Sequence, residues 1–361
     1  MPNRMEAIVI PNYAKPDAYG LATVEVPKLT GPSDVLIRVH ASSINPVDVQ
    51  KAAGALKILA KDSFPYLIGY DCAGVVAQVG TEVSQIAVGD AVYARLPEKN
   101  RGAWSEYAVC PAIYVSPKPT SISFAEAASL PLAALTALQS LRRYKGDLAG
   151  KTVFVAAGLS GTGIFACQMA KNVFKAGKVI TTVSTSKIDK VAELLGKGVV
   201  DQIIDYTTTN VTAVIEKHSV DFVFDTTGQA MKFVPLVKKE TGILISISTI
   251  PSGTLYEEVG SREFGQPYTI PRIPYYFLNL VDYLFKLYAR FYGVEYDFVY
   301  LEPTATGLVE LTKMVNDGQV KAIVGATTKL SDLEGVRRLA NIAYNGKGAI
   351  GKSVLITAAE E

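Results

Sequence analysis

The sequence predicts an α/β chain made of a mostly-β domain and a doubly wound parallel sheet with helices on both faces. Three observations predict it. Short segments rich in β-branched residues, separated by turn residues, fill the stretch 1–126. Beyond it, strand and helix patterns alternate, which is the signature of repeated βα units. A glycine-rich turn stands where the first strand of the alternating part meets its helix.

The elements follow in order. MEAIVI, DVLIRVHASSI, AGVVAQVG and AVYARL read as strands bounded by Gly, Pro and Asp, in a barrel-like or partly open arrangement. FAEAASLPLAALTALQSLRRY reads as one helix, with Ser123 as N-cap and Glu126 closing a capping box. Then come KTVFVAA, the turn, the helix GIFACQMAKNVFKA, and further strand and helix patterns through GILISIST. Their apolar strands predict burial on both faces. Pro251–Pro274 reads as irregular. Two helices (Ala305–Asp317 and Leu330–Tyr344) and two strands (Ala322–Ala326 and Lys352–Ile356) close the chain.

Bulk properties exclude several classes. In 361 residues, 49% are hydrophobic and 19% charged, so a large core is available and disorder is excluded. The net charge is +2 with no basic run, which argues against a nucleic-acid partner. The cysteines (Cys72, Cys110, Cys167) and histidines (His40, His218) are scattered, without metal-ligand spacing. Free thiols and the absence of an apolar leader core near the start place the chain in the cytoplasm as an expectation.

The main motif is VFVAAGLSGTGIFACQMAK, Val153 to Lys171. Gly158, Gly161 and Gly163 let the backbone turn sharply and approach a pyrophosphate. Ser160 and Thr162 lie in the same turn, and the following helix start points its N–H groups at the charge. Between a strand and a helix, this is the Rossmann dinucleotide context. The next strand ends in Ser184, followed by Thr185, Ser186 and Lys187, where NAD-binding folds carry an acid for the ribose hydroxyl. A neutral, hydroxyl-rich end with a lysine favours the 2′-phosphate of NADPH. Tyr206 follows the third strand and is expected to flank that phosphate or the adenine.

Several landmarks in order, DVLIRVHASSINPVDVQ, FPYLIGYDCAGVV, VGDAVYAR, GAWSEYAV, AASLPLAALTAL, the glycine turn and GAIGKSVLI, give a resemblance over nearly the whole chain. The sequence resembles the medium-chain dehydrogenase/reductase superfamily, in particular its zinc-free quinone oxidoreductases and reticulon-interacting-protein-like reductases. The resemblance implies a GroES-like catalytic domain (1–126 and 303–361). A Rossmann domain (127–302), with an aromatic insertion at about 251–297, would be set into it. It also implies a homodimer, with the strand near Phe298–Leu301 exposed for pairing with a partner.

Zinc-bearing members place ligands where this chain has Asn45, Tyr70 and Leu132, and that set cannot hold Zn²⁺, so no metal is expected. Without a Lewis acid, the implied reaction is hydride transfer from NADPH to an acceptor already activated by conjugation: a small hydrophobic quinone or α,β-unsaturated carbonyl. Two alternatives stay open: a dedicated enoyl reductase of polyketide-like biosynthesis, and a non-catalytic NADPH-binding or lipid-associated protein.

Asn45, in INPVD, is a candidate donor to the developing oxyanion, or else a structural Asn that fixes the turn before Pro46. Asp48 reads as a cap. Tyr70 should face the acceptor as donor or as pocket filler. By resemblance, Thr136 approaches the nicotinamide. Ser248 ends the fifth strand of the Rossmann sheet, near the carboxamide. Lys352 lies near the cofactor or is simply a surface lysine at a strand start.

In the aromatic stretch Tyr275–Tyr292, the residues Asn279, Asp282, Lys286 and Arg290 share one helical face. Their charges argue against a spanning helix. Three readings fit: packing on its own domain or on a partner copy, a lid over a hydrophobic substrate, or a helix lying on a membrane surface. The few Lys and Arg on the polar face favour the last least.

Overall fold

The structure, a computed structural model, describes residues 2–346 and 348–358. In chain order it opens with β1 (Arg4–Ile10), β2 (Gly20–Glu25), β3 (Asp34–Ile44) and helix α1 (Pro46–Ala52). Strands β4 (Tyr66–Leu67), β5 (Asp71–Val79), β6 (Ala91–Arg95), β7 (Tyr107–Pro111) and β8 (Val115–Pro117) follow. Helices α2 (Phe124–Ala128) and α3 (Pro131–Leu141) lead into the alternating part. That part begins with β9 (Thr152–Val155), α4 (Gly163–Gln168), β10 (Lys178–Val183), α5 (Ile188–Leu195), β11 (Gln202–Asp205) and α6 (Val211–Val214). It continues with β12 (Phe222–Asp225), α7 (Ala230–Phe233), β13 (Ile243–Ser246), α8 (Gly253–Phe264), α9 (Arg272–Phe291) and β14 (Glu295–Phe298). The chain closes with α10 (Ala305–Asn316), β15 (Val324–Lys329), α11 (Leu333–Asn345) and β16 (Lys352–Ile356).

These elements form two compact units. One comprises Met1–Leu135, Glu302–Asp317 and Ala322–Glu361; the other comprises Thr136–Leu301 and Gly318–Lys321. The first unit therefore runs on past residue 126, because α2 packs on β3 and β5. The short return Gly318–Lys321 was not foreseen. It is fastened by the Gln168 side chain, which donates to Lys321 O (3.1 Å) and accepts from Lys321 N (2.8 Å).

The first unit is mostly β, as predicted. Its larger sheet runs β15-β16-β3-β5-β6-β8, with β7 also paired to β3, and a smaller sheet runs β2-β1-β4. β3 is buried on both faces, which explains why Val35, Leu36 and Ile37 are all apolar: Val35, Ile37 and Val39 enter one core cluster with Cys72 and Val92, while Leu36 joins Met5 and Tyr107 in another. The C-terminal β16 lies between β15 and β3, with Ser353 opposite Ile44 and Ile356 opposite Ala41.

The second unit is a six-stranded sheet in the order β11-β10-β9-β12-β13-β14, parallel throughout. The order reverses between β9 and β12. In such sheets, ligands bind beyond the strands' carboxyl ends at that reversal. The glycine turn leaves β9 at this point. Thr226, just past β12, reaches across and donates from Oγ1 to Ala156 O (2.7 Å).

Four local expectations are corrected. The single helix after Ser123 is two: the capping box forms as read, with Glu126 N donating to Ser123 Oγ (3.2 Å), but the helix stops at Ala128 and α3 restarts at Pro131. Proline lacks the N–H that a continuous helix would use and disfavours helical geometry in the residue before it. The irregular stretch after Pro251 contains α8, capped by Ser252 Oγ accepting from Leu255 N (3.1 Å). Gly253, Gly260 and the surrounding prolines hid it. The expected exposed strand near Phe298–Leu301 ends at Phe298, and Phe298, Val299 and Leu301 are all buried. The fifth strand of this sheet ends at Ser246, so Ser248 lies two residues beyond it.

Candidate functional site

The first unit gathers its buried polar groups at the start of α1 and β5. Asn45 is the N-cap of α1, with Pro46 supplying a helix-ready first position. Its backbone N–H donates to Asp48 Oδ2 (2.7 Å), so Asp48 is the cap the sequence suggested. The Asn45 side chain is only 1% exposed and fully engaged. Nδ2 donates to Asp71 Oδ2 (2.9 Å), and Oδ1 accepts from Lys352 Nζ.

Asp71 collects three more contacts: Ser43 Oγ donates to its Oδ2 (2.9 Å), Leu132 N donates to its Oδ1 (3.0 Å), and Lys352 stands close enough to act on its charge. Two of the three positions where zinc relatives hold ligands, Asn45 and Leu132, thus both bond Asp71. Lys352 is buried, which removes the reading of a surface lysine; its Nζ also donates to Ile44 O (3.3 Å).

Burial pushes both carboxylates up, Asp48 to about 8, and lowers Lys352, although the two acids hold the lysine's proton against that loss. Asp48 Oδ1 is buried without a hydrogen-bond partner, whereas Asp71 has donors on both oxygens. Lys352 therefore pairs with Asp71, and Asp48 is the acid that keeps its proton.

Tyr70 occupies the third position. It is 2% exposed, its hydroxyl donates to Glu98 Oε2 (2.6 Å), and the Arg95 guanidinium stacks 4.8 Å from its ring centre. Glu98 belongs to a charged cluster. Lys51 Nζ lies 2.6 Å from Glu98 Oε1, Arg101 bonds the same oxygen, and Arg101 Nη2 lies 2.7 Å from Asp62. Burial would raise Glu98, but Lys51 and Arg101 outweigh it and hold the carboxyl below its usual range. Gly69, just before Tyr70, has φ +106°, and a Cβ there would fall 2.3 Å from the indole of Trp104. No side-chain-bearing residue fits while Trp104 packs beneath it.

The second unit places the glycine turn as read. Gly158 is forced by packing, since a Cβ would meet Thr181 Oγ1 at 2.1 Å. Ala157 takes φ +57°, and Ser160 Oγ accepts from Gly163 N (3.1 Å) at the start of α4. Gly161 and Thr162 complete the turn into that helix start. These close approaches leave the backbone of the turn and the helix N-terminus able to hold a pyrophosphate.

Past β10, Ser184 is partly open and its Oγ lies 3.5 Å from Ser186 Oγ. Lys187 is half-buried, and burial lowers its pKa. Tyr206 is exposed, next to the end of β10 through its N–H to Val183 O (3.1 Å). The sequence reading missed Asp205, directly beside them in register with Val183. Its carboxyl is held down at about 2 by hydroxyls, with Thr185 Oγ1 at 2.5 Å and Thr207 Oγ1 at 2.6 Å. The signal was present in IIDY, one residue before the tyrosine that was chosen.

Ser248 N donates to Ser246 Oγ (3.2 Å), which in turn donates to buried Asp225 (2.9 Å), so the loop after β13 is pinned. Thr136 is buried within α3. Among the described residues no group of three His, Cys, Asp or Glu side chains is placed to hold a metal ion.

Comparison with known proteins finds both domain types of one family. Residues 31–120 match the alcohol dehydrogenase GroES-like domain and residues 199–354 the zinc-binding dehydrogenase family. The chain is 35% identical over 303 residues to a 2-methylene-furan-3-one reductase of Solanum lycopersicum, covering 78% of this chain and 76% of that protein. It is 38% identical over 256 residues to a chloroplastic NADPH-dependent alkenal/one oxidoreductase of Arabidopsis thaliana, covering 69% of this chain and 64% of that one. The solved structure of a quinone oxidoreductase from Coxiella burnetii superposes with a TM-score of 0.79 at 26% identity, covering 98% of this chain and 100% of the other. The fold, the glycine turn at the reversal of the sheet and these matches agree: the chain belongs to the quinone-oxidoreductase-like branch of the medium-chain dehydrogenase/reductase superfamily.

Proposed function

We propose that the protein is a zinc-independent, NADPH-dependent oxidoreductase that delivers a hydride to a quinone or an α,β-unsaturated carbonyl compound. One observation carries the reading: of the residues that the resemblance sets at the ligand positions, Asn45 and Leu132 are committed to buried Asp71 and Lys352, and Tyr70 to the part-buried Glu98. That network offers no thiolate or imidazole to a metal. An acceptor already polarised by conjugation needs no Lewis acid. The names of the tomato, Arabidopsis and Coxiella proteins point to the same acceptor class.

NADPH, when bound, supplies the hydride with its electron pair. The chain's own part is to hold and orient. The glycine turn and the start of α4 take the pyrophosphate. Ser184 and Lys187 take the 2′-phosphate, and Tyr206 flanks it. Thr136 and Ser248 are assigned to the nicotinamide end, whereas Lys352, expected there by resemblance, is committed to Asn45 and Asp71. In an enone, a C–H bond forms at the β-carbon, the π pair moves to the carbonyl oxygen, and a solvent proton completes the α-carbon. In a quinone, the hydride forms an O–H bond at one carbonyl as the ring becomes aromatic, and the other oxygen takes the negative charge and then one solvent proton. Asn45 and Tyr70 serve the acceptor end as positioning residues, since each is anchored to a carboxylate. A homodimer and a cytoplasmic location belong to the same proposal.

The test is NADPH oxidation with 9,10-phenanthrenequinone and with a short enone. Turnover of either supports the reading and names the acceptor type. Tight NADPH binding with no turnover across broad quinone and enone panels would overturn it.

A further inference from the structure

Helix α9 packs on its own unit through most of its polar stripe: Asp282 is buried and paired with Lys286 (2.8 Å), and half-buried Asn279 accepts from Thr254 N (3.1 Å) at the start of α8, while Arg290 stays exposed. Leu278, Phe285 and Ala289 complete the inner side, with Phe285 edge-on to Tyr296. The outer side is apolar. Ile273, Phe277, Leu280, Leu284, Leu287 and Phe291 are all exposed, Ile273 and Phe291 to 86% and 85% at the two ends. At ~100° per residue these six fall within an arc of about 80°. Tyr276, Tyr283 and Tyr288, also exposed, border that arc on both sides.

We propose that this face docks the protein on a phospholipid surface, with α9 lying in the plane of the headgroups. Charge complementarity supports that occupant. Arg272 and Arg290, both exposed, project from the same flank of the apolar arc, beside Tyr276 and Tyr283. Arg272 also pairs with Glu257 of α8 (3.3 Å), so Arg290 is the cation of this flank with no acidic partner among the described residues of α8. The helix's one acid, Asp282, is turned inward and paired. An apolar strip with tyrosines and arginines at its border matches an acyl boundary edged by phosphates. The scarcity of cations on the polar face, which argues against this reading, carries less weight because Asn279, Asp282 and Lys286 of that face are packed or paired and Arg290 lies at its exposed border.

A second copy of the chain fits less well. A helix of 20 residues is about 30 Å long, and a strip about 10 Å wide offers on the order of 300 Å² per copy. That is well short of the roughly 1,200 Å² total of a stable interface. Two such helices packed antiparallel would also bring Arg272 of one copy against Arg290 of the other, like charge on like.

The experiment is co-sedimentation of the full chain with vesicles of phosphatidylcholine and phosphatidylserine mixed about 7:3, and with pure phosphatidylcholine. The wild type should sediment with both and more strongly with the anionic vesicles. Leu280→Glu/Leu284→Glu should lower vesicle binding about tenfold or more while NADPH oxidation in solution is retained. Arg272→Glu/Arg290→Glu should abolish the preference for anionic vesicles. If the leucine pair variant fails to fold, Phe277→Trp reports instead: the emission of the introduced indole should shift to the blue and be quenched by brominated lipid. The proposal is overturned by a wild-type chain that stays in the supernatant with both vesicles, or by an introduced indole that brominated lipid leaves unquenched in the Phe277→Trp protein. A dimer seen by analytical ultracentrifugation and dissociated by Leu280→Glu/Leu284→Glu would likewise overturn it, assigning the face to a second copy.

Discussion

The Asn45 side-chain amide donates to the Asp71 carboxylate at 2.9 Å, joining two positions 26 residues apart inside a core that water does not reach. On its other side the same amide accepts from Lys352, so one neutral group mediates between a buried anion and a buried cation. Each member is satisfied only while the others are present. In a medium of low dielectric such a network is strongly interdependent.

Replacing Lys352 with Met keeps the volume and removes the cation. Asp71 is then left as a buried, unbalanced charge, and stability should fall by about 3–5 kcal/mol. Adding Asp71→Asn should recover most of the loss. Denaturant unfolding of the single and double variants checks this. A Lys352→Met protein within about 1 kcal/mol of wild type would mean that Asp71 is not charged in the fold.

Asp48 gives the network a pH dependence. Its folded pKa, raised to about 8, lies above the ordinary carboxyl value, so the folded state binds this proton more tightly than the unfolded chain. The associated stability is complete at acid pH and is lost as pH rises through about 8. The stability of wild type relative to Asp48→Asn should therefore fall by roughly 4 kcal/mol between about pH 5 and pH 9, nearly all of it below the folded value of about 8. Thermal unfolding of both proteins across that range measures it. Parallel pH profiles would show that Asp48 is ionised throughout.

Lys187 sets cofactor preference in the proposed function. Lys187→Ala should weaken NADPH binding about tenfold, the worth of one charge-assisted contact, and leave NADH unchanged. Fluorescence titration with both nucleotides separates the cases. Equal losses would make Lys187 a structural residue of the α5 start, and no loss would make it a solvated one.

The fold was legible where one signal dominates. The alternating strands and helices, the glycine turn and the Ser123 capping box depend on local pattern, and each stands where it was read. Legibility stopped where tertiary packing decides. The INPVD segment marked Asn45, but nothing local says that its amide would be consumed by Asp71 and Lys352, contributed by strands far apart in sequence. Glu98 was invisible for the same reason: it becomes the partner of Tyr70 only through a long-range turn. For α9 the readings stayed open because amphipathicity identifies two faces without saying which one is wet. Proline and glycine, read as breakers, concealed α8 because a good cap at Ser252 outweighs weak interior propensity.

The position of β16 between β15 and β3 has a consequence for synthesis. The second unit is almost contiguous, so a nascent chain can complete most of its sheet early. The first unit cannot follow the same schedule. Its long strand β3 emerges well before its neighbour β16, and Lys352, whose ammonium balances Asp71, comes 307 residues after Asn45. Over that whole interval the Ala41–Ile44 part of β3 lacks its partner on one edge, the part before it being paired by β7, and the anion lacks its counter-ion. A chain that stopped short of β16 would therefore lose the middle of a sheet rather than a tail, and premature stop codons ahead of Lys352 should behave as folding defects.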